Sequence, residues 1–160
     1  MWWALATAVA APLTVRLPAI VQGGDFPVEY TCSGENASPQ IVWGGAPTGT
    51  VSYALIVDDP DAKPTWVHWV AFNILPTAIG VARNVTIEEK SFLQGKNDFG
   101  HSAWGGPCPP EGKPAHRYYF RAYALDTLLT LSAGATRAEV DAAMEGHILA
   151  QGTAMGRFGR

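Results

Sequence analysis

Residues 51–75 read VSYALIVDDPDAKPTWVHWVAFNIL, two strand-like runs either side of an acidic turn. The runs 51–58 (VSYALIVD) and 66–75 (WVHWVAFNIL) are rich in β-branched and aromatic side chains and are bounded by Asp and Pro, the pattern of buried strands. A third run of the same kind, 116–126 (HRYYFRAYALD), completes the predicted centre of a sheet. With side chains alternating between faces, His116, Tyr118, Phe120, Ala122 and Ala124 share one side of that strand, so His116 and Tyr118 stand together on one wall. Shorter strands are expected at 13–17, 28–32 and 40–43, the last running into a turn at Gly44 and Gly45. One helix is expected near the C-terminus. Thr136 and Glu139 form a T-x-x-E capping box, Val140, Met144 and Ile148 recur at helical spacing, and Gly152 is the expected stop, which places His147 on the helix. The chain therefore reads as mainly β with a C-terminal helix.

At 160 residues the chain suits one domain, and 48% hydrophobic against 16% charged residues is a globular balance. The 17 Gly and 12 Pro predict short elements joined by turns. With a net charge of −3 and scattered Lys and Arg, nothing forms the basic stripe that nucleic acid requires, so nucleic acid is set aside as a partner. Cys32 and Cys108 lack CxxC spacing, and no metal or cofactor is expected; a disulfide and two buried thiols both fit the sequence. Residues 1–13, MWWALATAVAAPL, are an apolar run with an A-x-A-like stretch at Ala8–Ala10 but no basic residue before it. The run is shorter than the roughly 20 residues that span a bilayer, so no integral membrane segment is expected. It reads as an N-terminal extension ahead of a 14–160 domain in preference to a remnant export signal, which favours the cytoplasm over export.

Polar side chains concentrate in three places, Asp58–Asp61, Trp66–Trp69 and Ala115–Tyr118, each at the end of an expected strand. Carboxylates at the end of one strand and imidazoles at the starts of two others can converge on one mouth of a sheet. Two histidines there could each donate an N–H to a phosphate or carboxylate, with an acidic neighbour fixing the ring tautomer. The Gly/Pro-rich stretch 95–114 is too long for an idle connection, and backbone amides of Gly105 and Gly106 could add donors.

Taken in order, YTCSGENASP (30–39), ALIVDDPDA (54–62), WVHWV (66–70), NDFG (97–100), WGGPCPP (104–110), HRYYF (116–120), YALD (123–126), GATRAEV (134–140) and AMEGHILA (143–150) resemble the prokaryotic branch of the phosphatidylethanolamine-binding protein family, also known from its Raf kinase inhibitor members. The resemblance covers roughly residues 14–160. It implies a β-sandwich with a large central antiparallel sheet and a pocket at one end for phosphate-like and carboxylate anions. Carried over residue by residue, it places Asp59, Asp61, His68, His116 and Tyr118 in that pocket, with backbone donors at Gly105 and Gly106. It also makes the Asp59–Pro60 bond a candidate for the cis form. Two departures fall on the rim: Lys63-Pro64-Thr65 shortens the stretch after Asp61, and Ala103-Trp104 replaces a Gly-Tyr pair.

The leading functional reading is a regulatory, non-enzymatic protein that binds a small anionic ligand. Its rivals are acid–base catalysis by the His/Asp pocket, with no catalytic residue assigned, and inhibition of a kinase or protease. Ser33, Ser38 and Ser102 lack a G-x-S-x-G elbow, which argues against serine hydrolase chemistry. Members of the branch often pair, and the apolar run with Trp2 and Trp3 is the surface expected to support a homodimer.

Overall fold

The structure, a computed structural model, describes residues 12–160. The export and dimer expectations tied to the run containing Trp2 and Trp3 lie outside the described residues. Two antiparallel sheets face each other. The larger has the order β6 (Leu93–Gly95), β4 (Trp66–Ile74), β3 (Ser52–Asp59), β7 (His116–Leu125) and β8 (Ile148–Phe158). The smaller consists of β1 (Thr14–Arg16), β2 (Ile41–Gly44) and β5 (Gly80–Val81) in the order β1-β2-β5. One helix, α1 (Arg137–Met144), covers the outer face of the larger sheet. Among the described residues no helix is long and apolar enough to cross a membrane.

Central strand β3 explains why the sequence reads so strongly here: all eight of its residues are buried. Tyr53, Leu55 and Val57 face the smaller sheet and pack with Ile41, Trp43 and Phe120. Ala54 and Ile56 face the other way, into a second cluster with Phe72, Val140 and Met144 under α1. A strand covered on both faces needs apolar residues at every position, so its pattern is continuous. The same alternation separates the last two residues of β3, and neighbouring carboxylates enter different environments.

The segment 28–32 is not a strand. Val28–Tyr30 form one 3-10 turn after Pro27, and the chain doubles back so tightly that a Cβ on Gly34 would lie 2.4 Å from the Val28 carbonyl oxygen. The helix is shorter than the apolar spacing suggests. Its capping box forms, with Thr136 Oγ1 accepting from the Glu139 N–H, but Gly146 at φ +80° turns the chain out of the helix. Ile148 therefore begins β8, His147 sits in the connecting turn and donates from Nδ1 to Asp126 Oδ1 at 2.7 Å, and Gly152 lies mid-strand.

The inward residues of β8, among them Ala150, Gly152, Ala154 and Gly156, are small because other chain lies directly on them. A Cβ on Gly152 would approach the Leu13 carbonyl oxygen to 2.1 Å, and one on Gly156 would meet the Phe26 ring at 2.5 Å. Leu13 also donates its N–H to Gln151 O at 3.0 Å, so the segment at Leu13 covers part of the free edge of the sheet, with Gly23, Gly24 and Phe26 pairing further along it. Gly152→Ala is expected to push this segment off the edge and lower stability by about 2 kcal/mol, read as a lower denaturant midpoint. An unchanged midpoint would show that the edge cover does not contribute to stability.

Candidate functional site

Three strand ends of the larger sheet meet at a cavity of about 300 Å³. Asp59 at the end of β3, Trp66 and His68 at the start of β4, and His116 and Tyr118 at the start of β7 line it, with Phe99 and the Cys108-Pro109 loop opposite. Antiparallel pairing brings these ends together: Asp59 pairs with Trp66 and Asp58 with Tyr119.

His68 reaches the cavity through a break in register. Val57 pairs with Trp69 and Asp58 with Val67, leaving His68 as the extra residue of a β-bulge. Val67 therefore packs under α1, while Trp69 packs between the sheets and His68 lines the cavity. The NDFG segment holds this bulge: Asp98 Oδ2 accepts from the Val67 N–H at 2.7 Å, and Asn97 Nδ2 donates to the His68 carbonyl at 3.3 Å.

Both imidazoles are committed at Nδ1. His68 is buried, and its Nδ1–H donates to the Gly105 carbonyl at 2.6 Å. His116 Nδ1–H donates to Asp59 Oδ2 at 2.7 Å. The nitrogen left free on each ring is Nε2. Burial holds the His68 pKa below its ordinary value of 6.5, partly opposed by the bond to Gly105 and the charge of Asp59, so the ring is neutral near pH 7 and its Nε2 is an acceptor. Asp59 is saturated: Oδ1 accepts from the N–H groups of Asp61 and Ala62 at 2.9 and 3.2 Å, and Oδ2 is taken by His116. Its negative charge is spread over three donors instead of being offered to the cavity.

Two donors in the cavity wall have no partner. The Tyr118 hydroxyl and the Trp66 indole N–H are buried and unbonded. Burial, followed by the charges of Asp59 and Asp61, raises the Tyr118 pKa, so the phenol keeps its proton and remains a donor.

Of the residues expected in the site, Asp59, His68, His116 and Tyr118 come together, and the others lie around them. Asp61 points away and grips Arg117 with both oxygens, Nε to Oδ2 at 3.0 Å and Nη2 to Oδ1 at 2.7 Å; this pairing lowers its pKa to about 2. The N–H groups of Gly105 and Gly106 do not face the cavity: the first donates to His68 O at 3.1 Å and the second to Asn36 Oδ1 at 2.9 Å. They are glycines because chain presses against them, a Cβ on Gly105 falling 2.4 Å from the Phe99 ring. The cis bond lies at Lys63–Pro64, not before Pro60. Cys32 and Cys108 form a disulfide, which puts a bridged cysteine in the cavity wall. Sequence reasoning gave Phe99 no part in the wall; the signal was the NDFG motif beside two glycines. Among the described residues no cluster of three or more His, Cys, Asp or Glu is placed to hold a metal ion.

A two-sheet β protein with a histidine-lined cavity at the end of its larger sheet is the class this geometry defines. The chain belongs to the phosphatidylethanolamine-binding protein family, whose family model matches residues 17–159. A UPF0098 protein of Methanothermobacter thermautotrophicus is 45% identical over 152 residues, covering 92% of this chain and 99% of the relative. A crystal structure of a phosphatidylethanolamine-binding protein homolog from Chlamydia trachomatis superimposes with a TM-score of 0.85 at 34% identity, covering 93% of this chain and 98% of that one. An Escherichia coli protein, described as a new member of the mammalian phosphatidylethanolamine-binding protein family, gives a TM-score of 0.86 at 29% identity, over 94% of this chain and 99% of that one.

Proposed function

We propose that this chain binds a small oxyanion, a phosphate or carboxylate group, in the cavity between His68 and His116, and that it acts by binding and not by catalysis. The observation that carries this reading is the pair of unpartnered donors, the Tyr118 hydroxyl and the Trp66 N–H, in a wall whose one carboxylate is already saturated. A buried donor without an acceptor costs about 1–3 kcal/mol, which an oxyanion would recover. His116 Nε2, the ring nitrogen not taken by Asp59, is a third polar group of the cavity wall. The described residues lining the cavity include no serine, no threonine and no free cysteine, and of the remaining nucleophile types Asp59 is taken by three donors and Tyr118 keeps its proton.

Calorimetric titration of sulfate, which keeps its charge between about pH 5 and pH 8, tests this without titration of the ligand itself. His116→Ala is expected to weaken binding about ten- to hundredfold and Tyr118→Phe by roughly tenfold, while His147→Ala, in the turn before β8, leaves it unchanged. Affinity is expected to rise as pH falls below 6.5, because protonation converts His68 Nε2 from acceptor to donor. Equal affinities in all four proteins, with no pH dependence, would mark the histidines as structural and end the proposal.

A further inference from the structure

We infer that the natural ligand carries two anionic groups, the second held in a depression beyond His116 by Lys113 and Arg157; this rests on the oxyanion reading of the first cavity. The depression is about 420 Å³ in volume and shares His116 with the first cavity, so the two adjoin at that ring. Its charged lining is Lys113, Arg117 and Arg157 against the single carboxylate of Asp61. Three cations facing one anion is a local reversal in a chain whose net charge is −3.

The pairing of these groups leaves two cations available. Arg117 and Asp61 neutralise each other through a bidentate contact of 2.7 and 3.0 Å. Arg157 reaches only Asp25, at 3.9 Å, beyond hydrogen-bond distance and with the carboxylate 81% exposed. Lys113 is exposed and forms no ion pair or side-chain hydrogen bond among the described residues. The sheet register places Arg117 and Arg157 directly opposite each other on β7 and β8. With Arg117 already held by Asp61, Arg157 is the member of that cross-strand pair left without a close carboxylate. An anion bound between Lys113 and Arg157 would give Arg157 that partner, and among the described residues His116 is the one common to the linings of both cavities. The class of ligand that fits is a compact molecule bearing two phosphate or carboxylate groups, one for each cavity.

The experiment compares inorganic phosphate, pyrophosphate and a hexose 1,6-bisphosphate by calorimetry at one ionic strength. The proteins are the wild type, Lys113→Ala/Arg157→Ala, and a charge-matched control, Arg16→Ala/Lys90→Ala. At least one bisphosphorylated probe is expected to bind the wild type about tenfold or more tightly than phosphate does, as charge-assisted contacts require. The Lys113/Arg157 variant is expected to reduce that probe to the phosphate level while leaving phosphate itself unchanged, and the control variant is expected to lose nothing. If phosphate binds but neither probe binds more tightly, or if the advantage survives the variant, the second subsite is wrong and the first reading stands. If phosphate and both probes fail to bind, the oxyanion reading falls and this inference with it.

Discussion

Reduction of the Cys32–Cys108 bridge, or its replacement by two serines, is expected to lower the unfolding free energy by about 4 kcal/mol. The bridge joins positions 76 residues apart, and its main effect in the chain-entropy account is to shorten the unfolded ensemble, an effect that grows with loop length. For a chain of this size the loss corresponds to a fall of roughly 10 °C in Tm. The bridge also fixes a wall of the cavity. Beside it, the Cys32 N–H donates to Pro107 O at 3.1 Å and the Gly106 N–H to Asn36 Oδ1 at 2.9 Å, so the 104–109 loop is clamped to the 30–36 loop at three points. Cys108 and Pro109 line the cavity, and sulfate affinity is therefore expected to fall together with stability. Melting curves and sulfate titrations of the wild type with and without reductant, and of the double serine variant, check both effects. Identical curves would show that the bridge contributes nothing that the two hydrogen bonds do not already supply.

Three of the four long strands were legible because each is buried by a regular pattern: β3 and most of β4 on both faces, and β7 with His116, Tyr118, Phe120, Ala122 and Ala124 on the inner side. What escaped the sequence was decided by contacts distant along the chain. Strand β8 carries alanine and glycine where a strand usually carries branched side chains, because Leu13 and Phe26 occupy the space those side chains would fill. Nothing local announces that, and the spacing of Val140, Met144 and Ile148 mimics a longer helix. The glycines at 105 and 106 read from sequence as backbone donors to a ligand, but they are glycines because Phe99 and the 30–36 loop press against them. Asp61 was legible as acidic and adjacent to the site, whereas its engagement by Arg117 depends on pairing between β3 and β7, which spacing does not reveal. The bulge at His68 is of the same kind. Its sequence, WVHWV, alternates in a way that would put His68 and Trp69 on opposite faces, and only the register shift against β3 allows both to lie on the inner side.

Asp58→Ala is expected to cost about 3 kcal/mol while leaving sulfate affinity at the wild-type value, the reverse of what the neighbouring acid should do. Asp58 is 2% exposed and faces α1: its Oδ2 accepts from Arg121 Nε at 2.9 Å and Arg137 Nη1 at 2.7 Å, and its Oδ1 accepts from Arg121 Nη2 at 3.0 Å. It thus ties β3 to β7 and to the first turn of the helix. Removing it leaves two guanidinium groups facing one vacated site, and breaking a buried ion pair in this way costs about 3–5 kcal/mol. The lower end applies because the side chains of Arg121 and Arg137 remain 30% and 28% exposed, and water screens part of their repulsion. Replacing Asp58, Arg121 and Arg137 together by leucine is expected to recover most of the loss, since it removes the stranded charges along with the ion pair. Asp59→Ala, one residue further and on the opposite face of the strand, frees the His116 ring and the N–H groups of Asp61 and Ala62 at once, and is expected to abolish sulfate binding. Denaturant melts and sulfate titrations on the two single variants separate the roles. Equal loss of affinity in both would mean that the alternation of β3 does not divide a structural acid from a ligand-site acid, and that the two carboxylates act as one network.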